Sequence, residues 1–523
     1  MRATDLPECL FIGSNQGRFQ MTNLRRHAFL TKRGLEYREA GAWRIDGFIL
    51  ENVRECDATL ANLWSENRAI WILDENWATT LDRVLVGARR FELKTNRFYD
   101  LGDGGEEAEA PYTNMSLRVA FKPKGAPDSV KDCLILFPDK ALQWEMDEES
   151  DPEVCEWALA RLQEHFSRSL VYPPGRLSTY LMESTRERAK EQWDYKRPPS
   201  TFDPWLRLSQ GDDPLDDWKR LRPFTHTEKK TKYIHAFDKN AAYLQAIGIP
   251  LGVGEYHRYD AKERLLDWER PGVWKVKTRP YFSDELAATL LDGGRQVSRM
   301  FNPPGLRGSE PFSVWVATPQ FKLMCELDLI TDVEEAYLAD DSSKLFATYY
   351  SHIKQALSLA DELIANNLDR PDGSEIVERR KSGEIGKRMK SFAKAIYSRG
   401  IGYLRAEFAR ESGQWFYRPD WWAMIVAEVG ARLFRDTREV WKESGDWPVG
   451  VYVDCVYYAS DEPDWRKAFP VFSESGRFGN KFKHKGTCAN TKKLAGAFGN
   501  GMSPGEFGGV FKRAASEFEE VDL

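Results

Sequence analysis

Cysteine pairs at redox or metal-binding spacing are missing from this 523-residue sequence: Cys9, Cys56, Cys133, Cys155, Cys325, Cys455 and Cys488 are scattered, and none stands in a CxxC. An odd, dispersed set argues against a disulfide framework and a thiolate zinc site, and implies reduced thiols. The seven histidines are equally dispersed, so a metal would have to be held by carboxylates and would be magnesium-like. No run of about 18 apolar residues occurs, and the first residues, MRATDLPECLFIG, lack a charged-then-apolar signal pattern. The expectation is a cytoplasmic protein with no membrane partner. Walker A and dinucleotide fingerprints are also absent, which leaves helicase and dehydrogenase readings without support. Nor is there an excess of positive charge, the net value being −6. That balance does not announce a nucleic-acid partner, yet a channel can be basic within an acidic chain.

What is present is apolar material, 42% of residues with 13% aromatic, enough for roughly three domains with cores of their own. Residues 1–170 alternate short strand-like runs (10–12, 69–73, 133–137) with helical stretches, most clearly 152–170, an α/β layout interrupted by the acidic, Gly-rich LGDGGEEAEAPY near 101–112. Residues 171–228 carry Pro173, Pro174, Pro198, Pro199, Pro204 and Pro214 among alternating charge clusters and read as a connector. Further on, a helix is expected from Thr318, with Thr as cap and Pro319 in its first turn. Two more, over 342–366 and 382–397, form a helical hairpin. A strongly amphipathic helix follows over 420–441, with Asp420 as its cap.

Three features carry chemistry. In KYIHAFDKNAAYL (232–244), a buried strand runs into Asp238 and the chain turns into a helical segment. Asp238 is there either as a turn or cap residue or as a functional carboxylate. In the second hairpin arm, Lys387, Lys390 and Lys394 recur at helical spacing with Arg388 and Arg399, and only Glu384 opposes them locally. Solvated helix faces usually interleave Glu, so this stripe favours an anionic partner over a bland surface. In VGVYVDCVYYAS, Asp454 stands amid apolar alternation, read as mid-strand. It is either an edge-strand residue facing water or a carboxylate with a partner. Two carboxylates on separate strands can clamp two divalent ions, and basic helix residues can hold a triphosphate. Beyond Asp454, Lys481, Lys483, Lys485, Lys492 and Lys493 interleave with Phe478 and Phe482, which suits a nucleic-acid backbone.

This order resembles family B DNA polymerases, most of all the small protein-primed enzymes of phages and linear plasmids. DKNAAYL is similar to their first motif, with Asp238 matching the metal ligand and Tyr243 the steric gate under the incoming sugar; Leu244 replaces the motif's Pro. KSFAKAIYS matches the second, which implies a triphosphate role for Lys390 and a nucleotide-pocket role for Tyr397, Lys394 standing for the family Asn and Ser398 for its Gly. YVDCV matches the third, making Asp454 the second metal ligand, with Tyr452 in place of the first Asp.

The resemblance, over about 230–490, implies an α/β and α+β multidomain chain. It comprises an exonuclease-like (RNase H-like) domain over 1–170, a connector over 171–228, and a right-hand polymerase. Within the latter the antiparallel palm occupies 229–318 and 406–475, the helical-hairpin fingers 319–405, and a reduced thumb and tail 476–523. Two Mg²⁺ or Mn²⁺ ions, a DNA template and primer, dNTP and a terminal priming protein are the implied cofactors and partners. In the exonuclease place the best local match to the first motif is FIGS, where Ile12 and Ser14 stand for both carboxylates; ILDENWATTL and CEWALARL also lack the Asp expected of them. The expectation is therefore an exonuclease-like fold without exonuclease chemistry, with an unrelated α/β domain as the alternative. For the whole chain the alternative to a polymerase is a polymerase-derived DNA-binding replication or chromosome-end factor.

Overall fold

The computed structural model describes residues 24–39, 42–46, 56–65, 68–96, 118–137, 143–185, 219–221, 224, 227–260, 267–278, 313–365, 381–406, 415–491 and 504–521. FIGS, the acidic loop near 101–112, residues 186–218 of the expected connector, and Lys492 and Lys493 lie outside them. The chain divides into two compact units, Met1–Leu177 with His352–Ile396, and Ser178–Ser351 with Tyr397–Leu523. Among the described residues no helix is long and apolar enough to cross a membrane.

The first unit is built on a mixed seven-stranded sheet in the order β3-β2-β1-β4-β7-β6-β5. Strands β1 (Arg26–Thr31), β2 (Gly34–Glu39) and β3 (Ala42–Asp46) form an antiparallel meander, while β4 (Arg68–Ile72) and β7 (Cys133–Leu136) run parallel to β1. An antiparallel pair, β5 (Phe91–Asn96) and β6 (Arg118–Pro123), completes the far edge. The parallel strands are covered on both faces, which is why AFL, AIWI and CLIL read as unbroken apolar runs instead of alternating. One face packs against Leu60, Leu63, Trp77, Leu81 and Leu85 of helices Cys56–Leu63 and Glu75–Gly87.

Helix Pro152–Phe166 is started by Asp151, whose carboxylate accepts from Glu153 N and Val154 N. It stops short of the expected residue 170 because Ser167 turns left-handed (φ 50°) and its N–H satisfies the last carbonyls. The arms of the helical hairpin are Ala347–Ala365 and Ser382–Tyr403. The first begins later than the sequence suggests, since Ser342 and Ser343 pair in a strand instead. Gly386 allows close approach of the arms: a Cβ there would sit 2.6 Å from the Ala360 carbonyl oxygen. Phe392 meets Trp144 edge-on at 5.4 Å, and Trp144 meets Trp71 likewise at 6.3 Å. That aromatic chain ties residues 352–396 to the first sheet.

The second unit holds two antiparallel sheets. Five strands, β8 (Lys219–Leu221), β9 (Tyr233–Lys239), β14 (Gly450–Tyr452), β15 (Cys455–Ser460) and β16 (Phe482–Ala489), are ordered β16-β9-β15-β14-β8. Four more, β10 (Leu251–Asp260), β11 (Gly272–Thr278), β12 (Ser313–Ala317) and β13 (Ile330–Ser343), are ordered β10-β13-β11-β12. Phe237, Val456 and Tyr458 from the first sheet and Trp274, Val316 and Leu338 from the second share one core with helices Thr318–Glu326 and Pro419–Ser444. The opposite face of the five-stranded sheet, Ile234, Ala236, Tyr457 and Cys488, is covered by Phe511 and Ala515 of helix Pro504–Val521. Residues 476–523, expected as a reduced thumb, thus supply an edge strand of that sheet and a helix laid across it.

Two capping expectations are corrected. Thr318 is the first residue of its helix and Ala317 the cap; the Thr318 hydroxyl instead donates to Arg270 O and accepts from Gly272 N and Trp274 Nε1. Asp420 is not a cap either. It is fully buried, bonded to Arg418 Nε at 2.9 Å and to the Tyr256 hydroxyl at 2.8 Å. Burial of a charge is tolerable only with such partners.

Candidate active site

The five-stranded sheet brings Asp238 and Asp454 together. Asp238 is the penultimate residue of β9 and lies opposite Cys455, the first residue of β15. Lys239 N donates to Asp454 O at 2.8 Å, so the two acidic residues sit on adjacent antiparallel chains at one end of the sheet. Asp454 is not mid-strand, as the alternation suggested. It forms, with Val453, the two-residue turn between β14 and β15. A two-residue turn does not interrupt a period of two, and Val-Asp carries none of the Gly or Asn that usually marks a hairpin. Val453 is held at φ 58°, a conformation that costs a β-branched residue about 1–3 kcal/mol and clusters at functional sites.

Tyr397, from helix Ser382–Tyr403, is 5% exposed. Burial, and then the negative charges of Asp454 and Asp238, push its phenol up to about 12, which places the ring within electrostatic reach of both carboxylates. Tyr243 lies on the short helix Ala242–Ala246, entered through Ala241 at φ 49°. The turn between Asp238 and Tyr243 is tied down by Asn240, whose N donates to Lys481 O and whose side-chain amide donates to Asn480 O.

The lysines beyond Asp454 are not one surface. Lys485 Nζ lies 3.1 Å from Asp238 Oδ2, inside the carboxylate site. Lys483 stands opposite Asp238 in the β16–β9 register. Lys481 pairs with Asp436 at 2.8 Å, and the other oxygen of Asp436 holds Lys239 at 2.6 Å. Sequence reasoning missed Lys239, although strict alternation places it on the face opposite Asp238. It also missed His235, which engages Thr487 and the Glu462 carbonyl, and His484, stacked on Trp465; burial lowers both rings to about 4. Cys455, next to Asp454, stays a thiol, because burial and then the Asp238 charge push its pKa well up.

Lys387, Lys390 and Lys394 line the exposed side of helix Ser382–Tyr403, while Ile385, Met389, Phe392 and Ala393 bury the other. Lys390 Nζ pairs with Asp361 at 2.6 Å. These lysines belong to the first unit, whereas Asp238, Asp454, Tyr243, Tyr397, Arg399 and Lys485 belong to the second. Arg399 is exposed.

Among the described residues no group of three or more His, Cys, Asp or Glu is arranged to hold a metal; the two carboxylates would make an all-oxygen donor set, since the neighbouring Cys455 stays a thiol. Such a set fits hard ions of the magnesium kind, which keep several waters and take further oxygens from substrate phosphates.

No family model matches this sequence, and no curated protein does. Among solved structures, the ternary complex of phi29 DNA polymerase with primer-template DNA and incoming nucleotide is similar over 89% of this chain and 85% of that one, at 12% identity and a TM-score of 0.46. An orthorhombic crystal form of the same polymerase gives 87%, 81%, 11% and 0.46, and its binary complex with primer-template DNA 89%, 85%, 11% and 0.44. No residue role is carried across likenesses of that size.

Proposed function

We propose that this chain is a template-directed DNA polymerase of the family B kind, working by two-metal nucleotidyl transfer. The observation that carries the reading is the register of β9 against β15, which sets Asp238 beside Asp454, with Tyr397 in their common field. In the reaction, a primer 3′-hydroxyl oxygen bonds to the α-phosphorus of a dNTP, the bond to the β-phosphate oxygen breaks, pyrophosphate leaves and the hydroxyl proton passes to solvent. A pair of Mg²⁺ or Mn²⁺ ions, when bound, supplies activation of the hydroxyl and neutralisation of the leaving group. Asp238 and Asp454 are the residues that would hold them. Tyr243 is assigned to the sugar of the incoming nucleotide and Tyr397 to its pocket. Lys387, Lys390 and Lys394 are assigned to nucleotide phosphates on their order in the chain alone. Arg399, Lys481, Lys483, Lys492 and Lys493 are assigned to DNA.

Asp238→Ala and Asp454→Ala are each expected to lower Mg²⁺-dependent primer extension at least about a thousandfold, since each anchors several kcal/mol of charge stabilisation. DNA affinity should stay nearly intact. Alanine variants that extend primers as well as the parent would end the polymerase reading.

We assign the first unit's sheet to an exonuclease-like domain without nuclease activity. A cleft of about 430 Å³ opens where β1 and β4 end, lined by Glu36, Asp74, Glu148, Asp151 and Glu153 among others. Its carboxylates are already engaged: Glu36 with Arg33, Thr31 and Trp43, Asp74 as a helix cap, Glu148 with Lys32, and Asp151 and Glu153 with Lys381.

A second reading, a DNA-binding factor that no longer extends primers, is favoured by one observation. Asp238 already has a cation on it, the Lys485 ammonium.

A further inference from the structure

Strand β16 follows β9 residue for residue through Phe482↔Lys239, Lys483↔Asp238 and His484↔Phe237, then slips, so that Gly486 faces Ala236. Lys485 is the extra residue of a β-bulge. Gly486 sits at φ +149°, where only glycine is unstrained, and a Cβ there would approach Ala515 Cβ to 3.1 Å. Bulges beside active sites re-aim side chains, and this one accompanies a lysine whose ammonium reaches Asp238.

The Lys485–Asp238 pair differs in kind from the buried Arg418–Asp420 pair. Arg418 and Asp420 are 2% and 0% exposed, whereas Lys485 and Asp238 are 42% and 21% exposed. A pair that open to water is held weakly, and a divalent ion offering twice the charge outcompetes one ammonium. The groups around Asp238 include the Cys455 thiol, which stays protonated, the Asp454 carboxylate, the Tyr397 phenol and Lys483.

We propose that Lys485 is an exchangeable counter-ion of Asp238, which occupies the carboxylate in the metal-free protein and must be displaced before a divalent cation can bind there. This rests on the reading of Asp238 as a metal ligand. It makes Lys485 a positioning residue that weakens metal binding to the carboxylate pair and keeps Asp238 compensated until an ion arrives.

The test is a Mn²⁺ titration of the full chain without nucleic acid, followed by the electron paramagnetic resonance of free Mn²⁺. Lys485→Ala should bind Mn²⁺ about two- to fivefold more tightly than the parent, the scale of a partly exposed ion pair. Lys485→Arg, which keeps the charge, should stay close to the parent. In an Asp238→Asn background the Lys485→Ala change should have no effect. Lys483→Ala removes the same charge from the same strand. If it tightens binding as much as Lys485→Ala, the effect is a general field and the proposal fails. The proposal also fails, with the polymerase reading intact, if Asp238→Asn weakens Mn²⁺ binding while Lys485→Ala does not strengthen it. If neither Asp238→Asn nor Asp454→Asn alters Mn²⁺ binding, the metal reading itself is wrong and the counter-ion role falls with it.

Discussion

Tyr397 offers a way to see the carboxylate pair in solution. Its phenol is raised from 10 to about 12, first by burial and then by Asp454 and Asp238. Between those values the unfolded chain has lost the proton and the folded chain keeps it, so stability is unaffected below pH 10 and falls as the pH rises towards 12. A phenolate absorbance titration of the parent minus Tyr397→Phe should show one tyrosine titrating near 12, and Asp238→Asn or Asp454→Asn should draw it downwards. A value near 10 that ignores both changes would remove Tyr397 from the site. Asp420 tests a different point, that buried charge here is structural. Asp420→Ala leaves the Arg418 guanidinium buried without its carboxylate and should cost about 3–5 kcal/mol in urea unfolding. A loss under about 1 kcal/mol, the scale of an exposed pair, would mean the cluster relaxes.

At the scale of elements, helix Ser382–Tyr403 buries one face and exposes the other. Its apolar face anchors through Phe392 on Trp144, and Lys387, Lys390 and Lys394 are exposed on the other. Lys390 pairs with Asp361, but both side chains are about half exposed, so the pair contributes on the order of 0–1 kcal/mol. Lys390→Ala should therefore leave stability nearly unchanged; under the proposed phosphate role it should also raise the KM for dNTP and slow extension, by removing charge neutralisation that grows in the transition state. Lys394→Asn should sharpen base discrimination at some loss of nucleotide affinity. Should both substitutions weaken DNA binding alike and leave nucleotide kinetics untouched, the stripe holds a backbone, and the binding-factor reading gains. The β14–β15 hairpin shows the reverse case, an element whose proposed metal ligand, Asp454, sits in its two-residue turn beside the left-handed Val453.

Across the whole molecule, the engaged carboxylates of the first unit's cleft predict no exonuclease activity. A labelled single strand incubated with Mg²⁺ or Mn²⁺ should not shorten. Shortening that disappears in a chain with Asp74 and Asp151 changed to Asn would show that the cleft's carboxylates bind metal despite Arg33, Lys32 and Lys381. What could be read from sequence was whatever a local period or composition encodes. The strand that carries Asp238, the long amphipathic helix that runs Pro419–Ser444, and the lysines at helical spacing on 382–403 all follow from local side-chain patterns over consecutive residues. The dispersed cysteines and histidines left carboxylates as the expected donors for any metal. Tertiary structure alone decided the remainder. Asp454 stands in a turn because β14 folds back on β15, and Lys485 reaches Asp238 through a slip in register between strands some 245 residues apart in the chain. Asp420 is buried because Tyr256, 164 residues away, meets it. The helix over Pro504–Val521 covers a sheet because Phe511 and Ala515 find Ile234 and Tyr457 there. Each of these depends on which distant strands pair and in what register, a choice made by the summed burial of many residues and carried by no single stretch of sequence.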